Sequence, residues 1–406
     1  MRSVGTTLFA CALGVFFVLY CPSLLPLLKI FGIIYLRCLT ALVIPLTAAV
    51  IFLAITSTLS AQHLAQLAKH ILFFYVASSA LACLTGIGAA HLVLTATPAI
   101  SLGQTPTALV PPLALDTLVL SFFPDNLIGA FAGTNLLPVI TLTFAIAFAT
   151  RALPDRQREL ATLLATTCRS ICEKVLSWVL FFTPAALVCL LATILAKSDA
   201  TLLKNLANFF AAVSLAALVH AFLTLPLMAW LWGGFSAYRY GPLMAKPLLL
   251  ALTTASSMAA LPASIEASEK KGQVDPRISG FALPLGATLN MDGSALYQAL
   301  VAIFLAKLAG VPLDLAKEIL IFLLVMLSSA GTAGIPSGGL ILMNTVLATI
   351  GVPAEWISIY LLVDRFWDYP VTAINVWGDL IAVKAVHNRL ATRANSAFSS
   401  DSTLSQ

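Results

Sequence analysis

The feature that most limits the fold of this chain is a series of long apolar stretches in which charged residues are rare. Of its 406 residues, 60% are hydrophobic and only 10% are charged, whereas a soluble domain carries about 25% charged residues. The mean hydropathy is +0.98. So few charges cannot cover the apolar surface of a water-soluble fold. The composition therefore predicts a polytopic membrane protein and excludes collagen, whole-chain disorder and a nucleic-acid-binding protein.

The apolar stretches are continuous rather than alternating, which favours spanning helices over a β-barrel. A spanning helix needs about 20 apolar residues, and about eight to ten such stretches fit into this chain. The first, second and third spans are predicted at about residues 6–27, 33–56 and 71–94. The fourth ends near residue 150, and the fifth and sixth are predicted at about 176–196 and 209–232.

The placement of Lys and Arg predicts the orientation of these spans. Residues 95–134 contain no Lys or Arg, whereas residues 151–174 contain five. Because short loops rich in Lys and Arg stay in the cytoplasm, the second of these loops is predicted inside and the first outside. Counting spans from there places both termini in the cytoplasm. The Ser-rich end at residues 395–406 is expected to be a disordered cytoplasmic tail.

Two apolar segments in the C-terminal third are interrupted by residues that do not suit a lipid-exposed helix. Ser256, Ser257 and Pro262 break the segment at 248–265, and a Ser- and Gly-rich run at 328–339 breaks the segment at 319–350. Non-helical backbone at membrane depth is tolerated only inside protein or beside a water-filled cavity. A pair of broken segments in two repeated units indicates a transporter binding site. We expect two re-entrant hairpins whose tips meet near the membrane midplane.

Several acidic residues lie in the apolar region around and after these segments. They are Asp292, Asp364, Asp368 and Asp379, with Arg365 as the one local cation. A charged side chain at the bilayer centre costs at least about 2.5–3.5 kcal/mol, and Arg365 can neutralise only one carboxylate. The alternative is that these groups form only interhelical hydrogen bonds. We infer instead that bound cations or protons stabilise the remaining negative charges.

Polar residues near the C-terminus recur at spacings of three and four, which places them on one face of a helix. This stripe consists of Asp368, Val371, Thr372, Asn375 and Asp379. Two carboxylates and an amide on one face can hold an amino group and a metal ion. The Asn and Gly residues around Asp292 are predicted to break the seventh span and to free backbone carbonyls. Carbonyl and carboxylate oxygens suit a hard cation such as Na⁺. The backbone N–H groups after Ser256 and Ser257, at a helix N-terminus, suit a carboxylate.

The chain resembles the dicarboxylate/amino acid:cation symporter family over nearly its whole length. The resemblance is carried by the Asn290–Gly293 run, by Ser329–Pro336 and by the stripe from Asp368 to Asp379. It implies an all-α polytopic membrane protein with eight spanning helices, two re-entrant hairpins, inverted repeats and an elevator mechanism. It also implies a cell-membrane homotrimer that contacts lipid and no nucleic acid, and that is not an enzyme.

The same resemblance implies a division of the chain into domains. The scaffold would consist of residues 1–70, with the first two spans, and residues 96–200, with the fourth and fifth. The transport domain would consist of residues 71–95 and 201–390, and residues 391–406 would form the cytosolic tail.

The resemblance further implies ligands for co-transported Na⁺ ions, with no prosthetic group. The first ion would be held by Asp379 and by backbone oxygens of Gly286, Asn290 and Asn375. The second would lie near Thr288, Met291, Ser329, Ala330 and Thr332. The third would be held by Asp292, Asn290, Tyr75, Ser78 and Ser79. The Ser78–Ser79 pair resembles the pair of hydroxyl residues that sodium-coupled members carry there, which favours Na⁺ over H⁺.

The substrate site implied by the resemblance is an amino acid pocket. Asp368 would face the α-amino group, while Asn375 and the amide of Ser257 would face the α-carboxylate. The full set of substrate-binding residues would be Ala255, Ser256, Ser257, Ser294, Ile335, Gly339, Asp368, Val371, Thr372 and Asn375.

One departure from the family pattern bears on the substrate. Members that carry acidic substrates have Arg where this chain has Val371. A second carboxylate in a dry pocket needs a cationic, bidentate partner, which valine cannot provide. We therefore predict a neutral amino acid. An acidic amino acid or dicarboxylate, coupled to Na⁺ or H⁺, is the alternative, with Arg365 in place of the missing arginine.

Three other activities are alternatives to the symporter. An obligate exchanger of the same fold would bind the same ligands. An intramembrane aspartyl protease could use Asp292 and Asp379 as its catalytic pair, but the two hairpins have no role in that mechanism. A channel could line its pore with the Gly-rich run. The combination of hairpins and isolated acids favours the symporter.

Overall fold

The structure is a computed structural model that describes residues 12–58, 65–95, 123–132, 136–182, 200–329, 346–353 and 356–403, with a few isolated positions between them. Every regular element within those ranges is helical. The prediction of an all-α membrane protein is consistent with this architecture. In the described part, three single helices are long and apolar enough to cross a membrane: Leu67–Val93, Thr201–Gly233 and Pro276–Leu308.

The first two predicted spans differ from the structure. Helix α1 (Ala12–Tyr20) is followed by a 3₁₀ turn at Pro22–Leu24 and by α2 (Leu25–Thr58). The chain bends by 104° at this break. The first span was predicted to continue to residue 27, which is wrong because the chain already turns at Cys21. The connection predicted at residues 28–32 is wrong too, since it is part of the 34-residue helix α2.

The charged segment after residue 151 is also helical. Helix α3 (Ala65–Val93) precedes the short α4 (Leu127–Ala132), and α5 (Leu136–Arg151) is followed by α6 (Asp155–Phe181). The segment 151–174 was predicted as a loop because of its charges, whereas most of it lies in α6. An Arg169–Glu173 ion pair of 2.7 Å one turn apart supports this helix. Helix α2 packs against α5 and α6.

The sixth predicted span is an α-helix with one wide turn inside it. Helix α7 (Ala200–Val219) continues through a π-turn at His220–Thr224 into α8 (Leu225–Gly233). Gly234 ends α8 with a left-handed φ of 63°, a conformation that glycine adopts without steric cost. The short α9 (Ala237–Tyr240) and a 3₁₀ turn at Gly241–Met244 follow.

The segment predicted as the first hairpin consists of two helices, α10 (Ala245–Thr254) and α11 (Ser257–Lys270). They are separated by Ala255, whose φ is 51°, and by Ser256. Lys246 near the start of α10 bonds to Glu266 near the end of α11 at 2.8 Å. The two helices therefore fold back on each other.

The predicted seventh span forms α12 (Pro276–Leu289) and α13 (Asp292–Leu308), interrupted at Asn290 and Met291. Asp275 caps α12 by accepting from the amide of Arg277, and Pro276 occupies the first helical position, where no amide donor is needed. Helix α13 is buried at nearly every position and packs against α3, α7 and α15.

The C-terminal elements are α14 (Leu315–Ser329) and α15 (Ile357–Thr403). The tip of the second predicted hairpin lies outside the described residues. The tail was predicted to be disordered from residue 395, but α15 continues to Thr403. The reason is that residues 395–403 contain neither Gly nor Pro, the residues that most often end a helix.

Candidate functional site

The site is built around the break between α12 and α13. Asn290 has φ −99° and ψ 84°, and Met291 has φ −109° and ψ 57°, so neither residue is helical. Asn290 and Asp292 are fully buried. The helix break predicted from the Asn and Gly residues around Asp292 is confirmed. It places the last carbonyl groups of α12 and the first acidic side chain of α13 at one point inside the protein.

Two serines of α3 hold one oxygen of the Asp292 carboxylate. The hydroxyls of Ser78 and Ser79 donate to Asp292 Oδ1 at 3.0 and 2.8 Å. Ser78 also lies 3.1 Å from Asn290 Oδ1, and Ser79 lies 3.5 Å from the same atom. Two oxygens predicted to hold a cation, Asp292 Oδ1 and Asn290 Oδ1, therefore lie within hydrogen-bond distance of the Ser78 hydroxyl on α3.

Asp379 of α15 lies on the other side of Asn290. The Asn290 amide Nδ2 donates to Asp379 Oδ1 at 3.0 Å. Gly286 of α12 lies so close that a Cβ atom there would meet Asp379 Oδ1 and would stand 2.5 Å from the hydroxyl of Tyr75. That hydroxyl donates to Ala282 O at 2.8 Å. Gly286 thus lets α12 approach both the carboxylate of α15 and the tyrosine of α3.

No Lys or Arg forms an ion pair with Asp292 or Asp379 among the described residues. Both carboxylates are buried, at 0% and 3% exposure. A buried carboxylate without a cationic partner is costly unless an ion or a proton neutralises it. Carboxylate, amide and hydroxyl oxygens are the donor set that hard cations prefer.

Asn375 joins α15 to the first turn of α13. Its Oδ1 accepts from the amides of Gly293 and Ser294 at 2.8 and 3.3 Å. Its Nδ2 donates to Ser294 Oγ at 3.2 Å and lies 3.3 Å from Met291 Sδ. Asn375 therefore fixes the helix end that carries Asp292, and it brings the predicted residues Met291 and Ser294 to the same place.

The remaining residues of the stripe follow the predicted helical spacing. Val371 and Thr372 are both buried, at 5% exposure, and Asp368 is partly buried. The Thr372 hydroxyl donates to Asp368 O at 2.7 Å within α15. Thr288, on α12, likewise donates to Leu285 O in its own helix at 2.9 Å. Both hydroxyls therefore bond within their own helices, and these bonds do not connect Thr372 or Thr288 to Asp292 or Asp379.

The tip between α10 and α11 is a tight reversal of the chain at which helix α11 begins. Ser256 caps α11 by accepting from the amide of Ala259 at 3.2 Å, and Ser257 is buried at the first helical position. Ala255 precedes them in a left-handed conformation. Both α10 and α11 pack against α15, the helix that carries the stripe.

Several predicted site residues lie outside the described part of the chain. Ser329 ends α14, but its side chain is not described, and the same holds for the side chain of Arg365 in α15. The other predicted site residues outside the described part are Ala330, Thr332, Ile335 and Gly339.

The sequence pattern did not single out His220, one of five histidines in the chain. Its Nε2 lies 3.6 Å from Asp292 Oδ2, and both side chains are fully buried. The available signal was its position inside a long apolar span, because an ionisable residue at membrane depth marks a functional site by default.

The family model of the sodium:dicarboxylate symporter family matches residues 4–389. The chain belongs to this family. The relatives that match the chain are transporters and not enzymes. The chain is accordingly an amino acid or dicarboxylate transporter of the membrane.

Relatives of different substrate classes match the chain. The proton/glutamate-aspartate symporter of Escherichia coli strain K12 is 31% identical over 87% of this chain and 83% of its own length. The neutral amino acid transporter B(0) of Bos taurus is 29% identical over 92% of this chain and 76% of its own length. The excitatory amino acid transporter 3 of Mus musculus is 36% identical over 51% of this chain and 40% of its own length.

Proposed function

We propose that this chain is a secondary active symporter that couples the transport of a neutral amino acid to sodium ions. The observation that carries the proposal is the pair of buried carboxylates, Asp292 and Asp379, linked through Asn290 and Ser78 and without a Lys or Arg partner in the described ranges. A co-transported cation offsets their charge, so the carrier is neutral at midplane only when it is loaded.

Three cation positions are proposed, and two of them are supported by described contacts. Asp379, Asn290 and Gly286 lie together, as the first position requires. Asp292, Asn290, Ser78 and Ser79 lie together, as the third requires, with Tyr75 against Gly286. For the second position, only Thr288 and Met291 have described side chains.

We propose that coupling arises because the cation and substrate sites share Asn375. This residue orients the first turn of α13, next to Asp292, and in this proposal it also faces the substrate carboxylate. Cation binding would therefore fix the residue that the substrate needs. We propose that the second hairpin closes only over the loaded, neutral site, after which the transport domain moves across the membrane as an elevator.

The division into a scaffold and a moving domain is supported by packing. Helix α2 packs against α5 and α6, whereas α3 packs against α7, α13, α14 and α15. This agrees with the assignment of residues 71–95 to the transport domain, although α3 precedes two scaffold spans in the sequence. The homotrimer, the eight spans, the two re-entrant hairpins and the cytoplasmic termini are part of the same proposal.

The proposal of a neutral substrate rests on Val371. In the described site Asp368 and Val371 lie on one helix face, and valine offers no charge to a second substrate carboxylate. An acidic amino acid or a dicarboxylate, coupled to Na⁺ or H⁺, is the second candidate. It is favoured by the relative from Escherichia coli, which is named a proton/glutamate-aspartate symporter and is matched over 83% of its length.

The test is uptake into liposomes that contain the purified full chain. Labelled alanine, serine, leucine, glutamine, aspartate, glutamate and succinate are offered under an inward sodium gradient, an inward proton gradient or no gradient. We expect concentrative uptake of neutral amino acids with sodium only. Uptake restricted to aspartate, glutamate or succinate would overturn the neutral assignment.

A variant pair tests the pocket assignment directly. Val371→Arg should shift the preference toward aspartate and glutamate, because it supplies the bidentate cation that a second carboxylate needs. Val371→Met, which adds bulk without charge, should weaken neutral uptake without that shift. If both variants behave alike, Val371 does not face the substrate side chain.

A further inference from the structure

His220 and Asp292 form a buried pair that the proposed cation positions do not use. Their side chains are both 0% exposed, and His220 Nε2 stands 3.6 Å from Asp292 Oδ2. Within the described part of the chain, neither nitrogen of His220 has a hydrogen-bond partner, and neither does Asp292 Oδ2. The other carboxylate oxygen, Oδ1, already accepts from Ser78 and Ser79. The unpartnered oxygen of Asp292 therefore faces an unpartnered ring nitrogen.

The backbone that carries His220 is a π-turn, a feature that is rare and often marks functional positions. The amide of Leu225 bonds to His220 O, five residues back rather than four. The wide turn changes the direction of the side chains on either side of it. His220, at its first position, is completely buried, whereas Phe222 and Leu223 in the same turn are exposed.

Side chains from elsewhere in the fold stabilise this turn. Pro226 has no amide hydrogen, so it cannot donate to the carbonyls one turn back, at Ala221 and Phe222. The indole Nε1 of Trp377 donates to Ala221 O at 3.2 Å, and the hydroxyl of Tyr238 donates to Phe222 O. Trp377 lies two residues before Asp379 on α15. The turn that presents His220 is thus fixed to the helix that carries the second site carboxylate.

We propose that His220 is a positioning residue for Asp292: its Nε2–H donates to Asp292 Oδ2 when a cation occupies the site, and it thereby sets the affinity for that cation. The separation of 3.6 Å closes by about 0.7 Å to reach an ordinary N–H···O distance. The imidazole ring of His220 acts as a hydrogen-bond donor through Nε2. It fixes the carboxylate rotation, so that Oδ1 stays with the hydroxyls of α3 that contribute to the cation position.

This inference rests on the proposed function, since it assigns a role to a residue beside the third cation position. It differs from that proposal in that His220 is not itself a cation ligand. Groups that orient a metal-binding carboxylate typically change metal affinity by roughly 10- to 100-fold when they are removed. The effect should fall on the KM for sodium rather than on maximal transport at saturating sodium.

Four variants of the full chain, purified and reconstituted in liposomes, test the inference. His220→Met removes the donor at similar length, His220→Gln places an amide donor near the Nε2 position, and His220→Asn places one near the Nδ1 position. His387→Met is the matched control, because it removes a histidine near the end of the buried part of α15, away from the site. Uptake is measured against sodium concentration for each variant.

We expect His220→Met to raise the sodium KM by roughly 10- to 100-fold, His220→Gln to restore it largely, and His387→Met to leave it unchanged. An unchanged KM in His220→Met, or equal effects of Met and Gln, would overturn the inference. Should His220→Met fail to insert, the comparison of Gln with Asn decides, because only Gln reaches the oxygen of Asp292.

The same experiment separates this inference from the proposed function. If the unaltered chain transports without sodium dependence, the proposed function fails. If the chain depends on sodium and Asp292→Asn abolishes that dependence, while His220→Met has a normal sodium KM, only the role of His220 is refuted.

Discussion

Replacing Gly286 with alanine should favour the helical conformation of α12 but should also cause a steric clash at the proposed cation site. In an exposed helix the change from Gly to Ala stabilises by about 0.5–1 kcal/mol. At Gly286 the added Cβ would stand 2.5 Å from the hydroxyl of Tyr75 and 2.7 Å from Asp379 Cγ, whereas ordinary contact begins at 3.4 Å. Either Tyr75 and Asp379 or the helix itself must therefore move by about 0.9 Å.

Overpacking of this kind costs about 1–3 kcal/mol, so it outweighs the gain in propensity by about 1–2 kcal/mol. Because both displaced groups belong to the proposed site, the cost should fall on cation binding. At 1.4 kcal/mol for each factor of ten, the sodium KM should rise by roughly 5- to 30-fold. The assay is sodium-dependent amino acid uptake in liposomes, with thermal stability measured on the same preparations.

Gly280→Ala is the matched control, because it lies on the same helix and its Cβ would meet nothing within 4 Å. It should keep the normal sodium KM and gain up to about 1 kcal/mol of stability. If Gly286→Ala shows the same sodium KM as Gly280→Ala, the close approach of Tyr75 and Asp379 does not belong to a cation site.

Substitutions at two further positions test the local geometry. Asn375→Leu removes the acceptor of the Gly293 and Ser294 amides and should destabilise the protein by about 1–3 kcal/mol, seen as a lower melting temperature; an unchanged value would contradict the described contacts. Ala255→Gly should stabilise by up to about 1 kcal/mol, because alanine there has φ 51° and the left-handed region is costly without glycine. Ala255→Val should do the reverse, and equal stability of both variants would refute the left-handed assignment.

The sequence predicts the parts of the site that depend on local chemistry. The break at Asn290 and Met291 follows from an Asn and Gly run inside an apolar helix. The stripe on α15 follows from helical spacing alone. The buried carboxylates could be recognised because acidic residues in apolar stretches need a neutralising partner.

Other features were not predictable because they depend on contacts between distant segments. The π-turn at His220 is stabilised by Trp377, which is remote in sequence, and by Tyr238, which lies on another element. The bend of 104° after Tyr20 separates two apolar helices. Hydropathy alone predicts a first span that continues past this bend to residue 27. Charge density suggested a loop at residues 151–174, but helix-compatible residues and the i,i+4 pair of Arg169 and Glu173 place most of it in α6.

The neutralisation of the buried site carboxylates by a transported cation is tested by uptake of a neutral amino acid, with and without a sodium gradient, for Asp292→Asn and Asp379→Asn. Asp155→Asn, an exposed carboxylate at 83% side-chain exposure, is the control and should transport normally. We expect both site variants to lose sodium-driven accumulation. Accumulation with undiminished sodium dependence in both would contradict the account.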